Sequence, residues 1–123
     1  MLRCRVKGSK IQFMSSLLVL TNLPNAEAAQ TLATLLVDER LAACVNILAP
    51  ARSVYRWNGE IEQAEEVPLL IKTTAARYAA LESAILSHHP YDLPEIIAVP
   101  IAFGLPEYLS WVAAETKETP LSC

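Results

Sequence analysis

Asn58-Gly59 constrains this chain more than any other feature. It stands between Ser53–Trp57 and Glu60–Glu66, two runs with the character of β-strands. Both residues of that dipeptide tolerate positive φ, which the twist of a two-residue hairpin requires. A two-residue turn also dictates the register. Trp57 then faces Glu60, Tyr55 faces Glu62, and Arg52 faces Glu65 as an opposite-charge cross-strand pair. The same count places Pro68 opposite Ala49, beside Pro50, so both strands lose amide donors at one place and the ribbon is expected to bend there.

Around this hairpin the apolar pattern alternates between strand and helix. Ser15–Thr21 contains Leu17-Leu18-Val19-Leu20, a short run expected as a buried strand. Asn25 then caps a helix with Glu27 in its first turn, and Ala29, Leu32, Ala33 and Leu36 recur at helical spacing until Asp38-Glu39-Arg40. Ala42–Leu48 reads as a strand, and Leu69-Leu70-Ile71 carries the hairpin's second strand into the core. Thr74 is expected to cap a second helix whose stripe is Tyr78, Leu81, Ile85 and His88. Pro90 ends it. Glu95–Ala102 reads as a strand, demoted toward an edge by Pro100. Pro106 starts a third helix, with Leu105, Tyr108, Leu109 and Val112 turned inward. The order β-α-β-β-α-β plus a terminal helix predicts an α+β, ferredoxin-like sandwich with a long hairpin. The expected domain spans residues 15–116. Residues 1–14 are expected to be an unstructured N-terminal extension, with Met14 as a possible natural start, and residues 117–123 a frayed tail.

Charge narrows the function classes. The formal net charge is −3, yet Arg3, Arg5, Lys7 and Lys10 lie in the first fourteen residues, leaving 6 basic against 13 acidic side chains beyond them. So acidic a body argues against a nucleic-acid partner. Cys4, Cys44 and Cys123 form neither a close pair nor an even framework, which suits reduced thiols and a cytoplasmic setting. The basic start followed by Leu17-Leu18-Val19-Leu20 mimics a signal peptide, but the apolar stretch is short and broken by Thr21-Asn22. No segment has the roughly 18 apolar residues of a membrane span, so no membrane partner is expected. The glycines Gly8, Gly59 and Gly104 form no phosphate-binding loop.

The hairpin also predicts self-assembly. It runs past what two short helices can cover, and it carries Tyr55 and Trp57 on one side. A lone ribbon with an aromatic face is marginal in water and is normally covered.

Five separated blocks then resemble one family. Leu41-Ala42-Ala43-Cys44-Val45-Asn46, Tyr55-Arg56-Trp57-Asn58-Gly59-Glu60-Ile61, Ile71-Lys72-Thr73, Ser87-His88-His89-Pro90-Tyr91-Asp92-Leu93-Pro94-Glu95 and Tyr108-Leu109-Ser110-Trp111 are similar, in order and spacing, to the CutA divalent-cation tolerance proteins. The resemblance runs from about Ser15 to Glu115. It implies a cytoplasmic homotrimer of ferredoxin-like subunits, joined by edge pairing around the ribbons and linked to tolerance of divalent metals, with copper bound by some members. No required cofactor and no catalysis are implied. The family's adjacent histidines correspond to His88 and His89, the candidate metal ligands. Some members place a cysteine where this chain has Thr21, so the thiolate is missing.

Residue chemistry leaves alternatives open. Copper and zinc take imidazole readily, but neighbours on a helix point about 100° apart, so one ion rarely takes both histidines of one chain. Asp92 or Glu95 can add oxygen ligands, and a complete site would draw on two subunits. Alternatively, His88 packs under its helix and His89 caps the helix end. A second reading is a small-ligand sensor of the PII kind, with Trp57, Lys72, Tyr91, Glu95 and Trp111 near an intersubunit cleft. There Lys72 would hold an anion and Glu95 would orient it or a cation. A third is a non-catalytic trimeric anchor. Cys44, in an apolar run, reads as packing and not as a nucleophile.

Overall fold

The computed structural model describes residues 15–118. Strand β1 (Ser16–Leu23) leads to helix α1 (Ala26–Asp38), followed by β2 (Cys44–Ile47), β3 (Ala51–Trp57), β4 (Glu60–Thr74), α2 (Ala75–His88), β5 (Ile97–Pro100) and α3 (Pro106–Glu115). The strands form one antiparallel sheet in the order β2-β4-β1-β5, with β3 extending the pairing along β4. The expected N-terminal extension lies outside the described residues, as do residues 119–123 of the expected tail. Glu118 is tied to Arg77 by a 2.9 Å ion pair. Thr116, just before the tail, is buried, with its Oγ1 donating to the Val112 carbonyl at 2.8 Å.

Alternation along β1 and β4 divides the sheet into two faces. Val19, Leu23, Val67, Leu69 and Ile71 bury one face against Leu32 and Leu36 of α1 and Leu81 and Ile85 of α2. Asn25 caps α1 as its sequence predicts, its Oδ1 accepting from the Ala28 N–H at 2.8 Å. At the other end Arg40 adopts φ 60°, while the Arg40 and Leu41 amides donate to the Val37 and Leu36 carbonyls at 3.0 and 2.9 Å. These are the two bonds of a Schellman motif, with arginine where glycine is usual. Thr74 occupies the N-cap position of α2, but its hydroxyl makes no capping bond. The Ala75 amide is satisfied instead by the Ser15 carbonyl, 2.8 Å away.

The hairpin register agrees with the turn: Trp57 pairs with Glu60, Tyr55 with Glu62 and Arg52 with Glu65. Asn58 (φ 52°) and Gly59 (φ 81°) supply the two positive dihedrals. The bend differs by one residue from the expectation. Pro68 lies opposite Leu48, not Ala49, and its carbonyl accepts from the Leu48 amide at 3.0 Å. The next pair is Ala51 with Glu66, so Ala49 and Pro50 together oppose Val67. This is a β-bulge, and it places Pro50, which has no amide to donate, in the unpaired position.

Three further expectations shift. β2 begins at Cys44 instead of Ala42, because the Ala42 amide still serves the Leu36 carbonyl at the end of α1. β5 is confined to Ile97–Pro100, with Glu95 outside it and its carboxylate turned to Asn22. Helix α3 keeps only part of its expected face: Val112 is buried and Leu109 half-buried as expected, Ala113 is buried as well, and Leu105 and Tyr108 are exposed. It covers only part of the sheet's second face. Leu18, Leu20 and Leu70 remain half-buried there, and Ile97 and Val99, their β5 neighbours, are exposed.

Candidate functional site

Helix α2 delivers both histidines, and proline separates them. His88 is the last helical residue, and Pro90 holds His89 in an extended conformation (φ −87°, ψ 135°). One backbone step therefore aims the two rings in different directions.

The outcome inverts the structural roles considered from sequence. His88, expected on the buried stripe, is exposed. Its Nδ1 lies 2.9 Å from the Ala84 carbonyl. A carbonyl only accepts, so Nδ1 carries the hydrogen, and in the neutral ring the lone pair is on Nε2. His89 turns inward and is 9% exposed. Its Nε2 donates to the Asn22 carbonyl at 2.7 Å, and its Nδ1 accepts from the Tyr91 amide at 3.2 Å. Both nitrogens of His89 are occupied by backbone. The two rings therefore do not form a chelating pair within one chain, and a metal ion can take His88 alone without breaking a bond.

His89 instead anchors the segment that crosses to β5. Its ring meets Tyr91 at a centroid distance of 4.8 Å. The Tyr91 hydroxyl interacts with Glu66 at the base of the hairpin. Desolvation first, then that interaction and the Glu66 charge, push the phenol up to about 12. Glu66 also accepts from Ser53 Oγ at 2.6 Å, and Glu95 accepts from Asn22 Nδ2 at 3.0 Å. Sequence reading missed Asn22 and Glu66, whose partners are distant in the chain and carry no local signal.

Lys72 belongs to a separate cluster on the sheet's second face. Its ammonium bonds the Asn46 side-chain oxygen and lies 3.9 Å from Cys44 Sγ. Tyr108 of α3 interacts with the same sulfur, and burial, ahead of that interaction, raises its phenol pKa. Trp111 stacks on Tyr108 at 5.6 Å. Trp57 is elsewhere again, at the hairpin tip, where the length of β3 puts it about 20 Å from Ala51. The five residues expected at a cleft therefore occupy three places in one chain: Tyr91 with Glu95, Lys72 with Trp111, and Trp57 alone.

Thr21 is buried on the helix-covered face, opposite Leu69, and its hydroxyl has no hydrogen-bond partner among the described residues. Asp92 is exposed. Among the described residues no group of three or more His, Cys, Asp or Glu side chains converges as a metal site. A cavity of about 430 Å³ does open beside His88, between the end of α2 and the start of α1, with Glu27 also lining it. Among the described residues no helix is long and apolar enough to cross a membrane.

Comparison with known proteins adds an independent line. Residues 17–115 match the family described as CutA1 divalent ion tolerance protein. The chain is similar to the divalent-cation tolerance protein CutA of Thermus thermophilus, at 48% identity over 98 residues, covering 80% of this chain and 95% of that one. The solved Thermus thermophilus structure superimposes with a TM-score of 0.82 at 46% identity, covering 83% of this chain and 99% of the other. The CutA1 structure from Oryza sativa gives 0.83 at 40% identity, with coverages of 86% and 97%.

Proposed function

Because this chain belongs to the CutA1 divalent ion tolerance family, we propose that it serves divalent-cation tolerance as a homotrimer of ferredoxin-like subunits that binds a divalent ion weakly through His88. The observation that carries the metal part is the Nδ1–H bond from His88 to the Ala84 carbonyl, which leaves Nε2 free and oriented. Metal-binding imidazoles are commonly held this way, with the other nitrogen donating to a carbonyl. A lone imidazole suits copper or zinc and holds either loosely. The chain's own contribution is to orient one ring outward and to keep the other out of the coordination sphere.

The trimer is supported by what one chain leaves uncovered. The outer half of β4, residues 60–66, pairs with β3 on one edge, while β1 ends opposite Val67 on the other. Val54, Tyr55, Trp57 and Ile61 are exposed on the ribbon. Together with the apolar second face of the sheet, these surfaces suit burial against further copies. The ferredoxin-like reading is supported by the order β2-β4-β1-β5, in which β4 separates the parallel strands β1 and β2. A cytoplasmic setting accords with the free Cys44 thiol.

Calorimetric titration of Cu²⁺ into the wild type, His88→Ala and His89→Ala, with the oligomeric state followed by light scattering, tests the reading. His88→Ala loses binding, whereas His89→Ala keeps it and loses stability. Equal affinity in all three proteins refutes the role of His88, and a monomer refutes the assembly.

A further inference from the structure

We infer that Glu27 is the second protein ligand of a divalent-cation site between α1 and α2, sharing with His88 the cavity that both line. The inference rests on the cation-binding role of His88 and adds its partner from another helix. The cavity is about 430 Å³, and Thr31, Leu32, Leu35 and Pro90 also line it. Its polar groups sort by whether they are already engaged. Asn25 is engaged, since its Oδ1 holds the Ala28 amide at 2.8 Å. His88 Nδ1 is committed to Ala84, which is what frees Nε2. Glu27 is exposed in the first turn of α1 and makes no hydrogen bond or ion pair among the described residues. Among the described residues no lysine or arginine lines the cavity to neutralise it. What remains is an imidazole nitrogen, a carboxylate offset only by the positive end of the α1 dipole, and the Thr31 hydroxyl, with no basic side chain among the described residues beside them.

The other donors near the histidines are withdrawn. His89 has both nitrogens bonded, Glu95 accepts from Asn22, and Thr21 faces the core. One imidazole with one carboxylate is a nitrogen–oxygen pair suited to Cu²⁺, Zn²⁺ or Ni²⁺, with Cu²⁺ held most tightly. Two protein donors leave the remaining positions to water. Such a site binds weakly and exchanges readily, unlike a structural metal centre.

The test is calorimetric titration of the full-length oligomer with Cu²⁺ and Zn²⁺. It compares the wild type, Glu27→Gln, His88→Ala, the double variant and Glu107→Gln, which removes an exposed charge from α3. Glu27→Gln keeps the side-chain shape, and its thermal unfolding verifies that it folds. The expected result is a loss of about tenfold in Cu²⁺ affinity for Glu27→Gln, equivalent to about 1.4 kcal/mol. His88→Ala loses the site, and adding Glu27→Gln to it costs nothing further, because ligands of one ion are not additive. Glu107→Gln binds as wild type. If Glu27→Gln binds normally while His88→Ala does not, Glu27 is no ligand although the His88 reading stands. An equal loss in Glu107→Gln, or an additive double variant, reduces Glu27 to a general charge effect and overturns the inference. Absence of binding in the wild type overturns both.

Discussion

Replacing Thr21 by valine should stabilise the protein. Thr21 is 1% exposed, its neighbour across the ladder is the fully buried Leu69, and its hydroxyl has no partner among the described residues. A buried hydroxyl without a hydrogen bond costs about 1–3 kcal/mol of desolvation. Valine keeps the branched shape, removes that cost, and buries a methyl group worth up to about 0.8 kcal/mol. Residual burial in the unfolded chain reduces the gain, so about 1–2 kcal/mol is expected, or roughly 3–10 °C in Tm. Thr73→Val is the matched control. Thr73 is equally buried, but its Oγ1 donates to the Leu41 carbonyl at 2.7 Å. Removing that hydroxyl strands a buried acceptor and should cost about 1–2 kcal/mol. Guanidinium unfolding at one fixed protomer concentration measures both, because oligomer stability depends on concentration. Opposite signs are expected. Destabilisation by Thr21→Val would show that the Thr21 hydroxyl is bonded after all and refute the argument.

Arg40→Gly should stabilise by about 0.5–1 kcal/mol, since glycine adopts the left-handed conformation at the end of α1 without the penalty borne by a Cβ. The exposed Arg40 guanidinium also donates to the Glu115 carbonyl at 3.3 Å and lies 3.8 Å from its carboxylate; both contacts are solvent-exposed and worth too little to reverse the sign, and chemical denaturation measures the difference. Tyr91 should make stability fall in alkali. Its folded pKa of about 12 lies above the ordinary 10.0, so the native state holds the phenolic proton more tightly. That contribution is complete below pH 10 and is lost as the pH rises toward 12. Tyr91→Phe should flatten this decline, as followed by unfolding at successive pH values. An unchanged alkaline slope would show that Tyr91 does not hold its proton more tightly in the folded state.

Local signals reached as far as local causes extend. Asn58-Gly59 specified the hairpin pairs because a two-residue turn leaves no freedom of register. Asn25, Pro90 and Pro106 marked helix ends through backbone restrictions that act within a residue or two. The bulge at Ala49-Pro50 escaped because its count depends on how β2 pairs with β4, a contact closed only in the folded sheet. The histidines show the same limit. Pro90 announced that His89 would leave the helix, but only the Asn22 carbonyl, 67 residues away in the chain, determines that His89 turns inward and is fully bonded. Which ring remained for a metal was therefore not legible. Glu27 was read as a favourable charge at a helix start, and its place in the cavity beside His88 emerges only from the packing of α1 on α2.

The bulge has a consequence for how this architecture can be altered. Below it, the pairs from Cys44 with Lys72 to Ile47 with Leu69 anchor the sheet; above it, the pairs from Ala51 with Glu66 to Trp57 with Glu60 form the projecting arm. A single extra residue separates the two registers. Deleting Ala49 or Pro50 would merge them into one continuous ladder in which every side chain keeps its present face. The core composition would be untouched, while the arm would straighten and sweep a different arc. Residues 49 and 50 thus act as an elbow, a point where a single-codon change can retarget the arm toward other surfaces without a penalty in the hydrophobic interior.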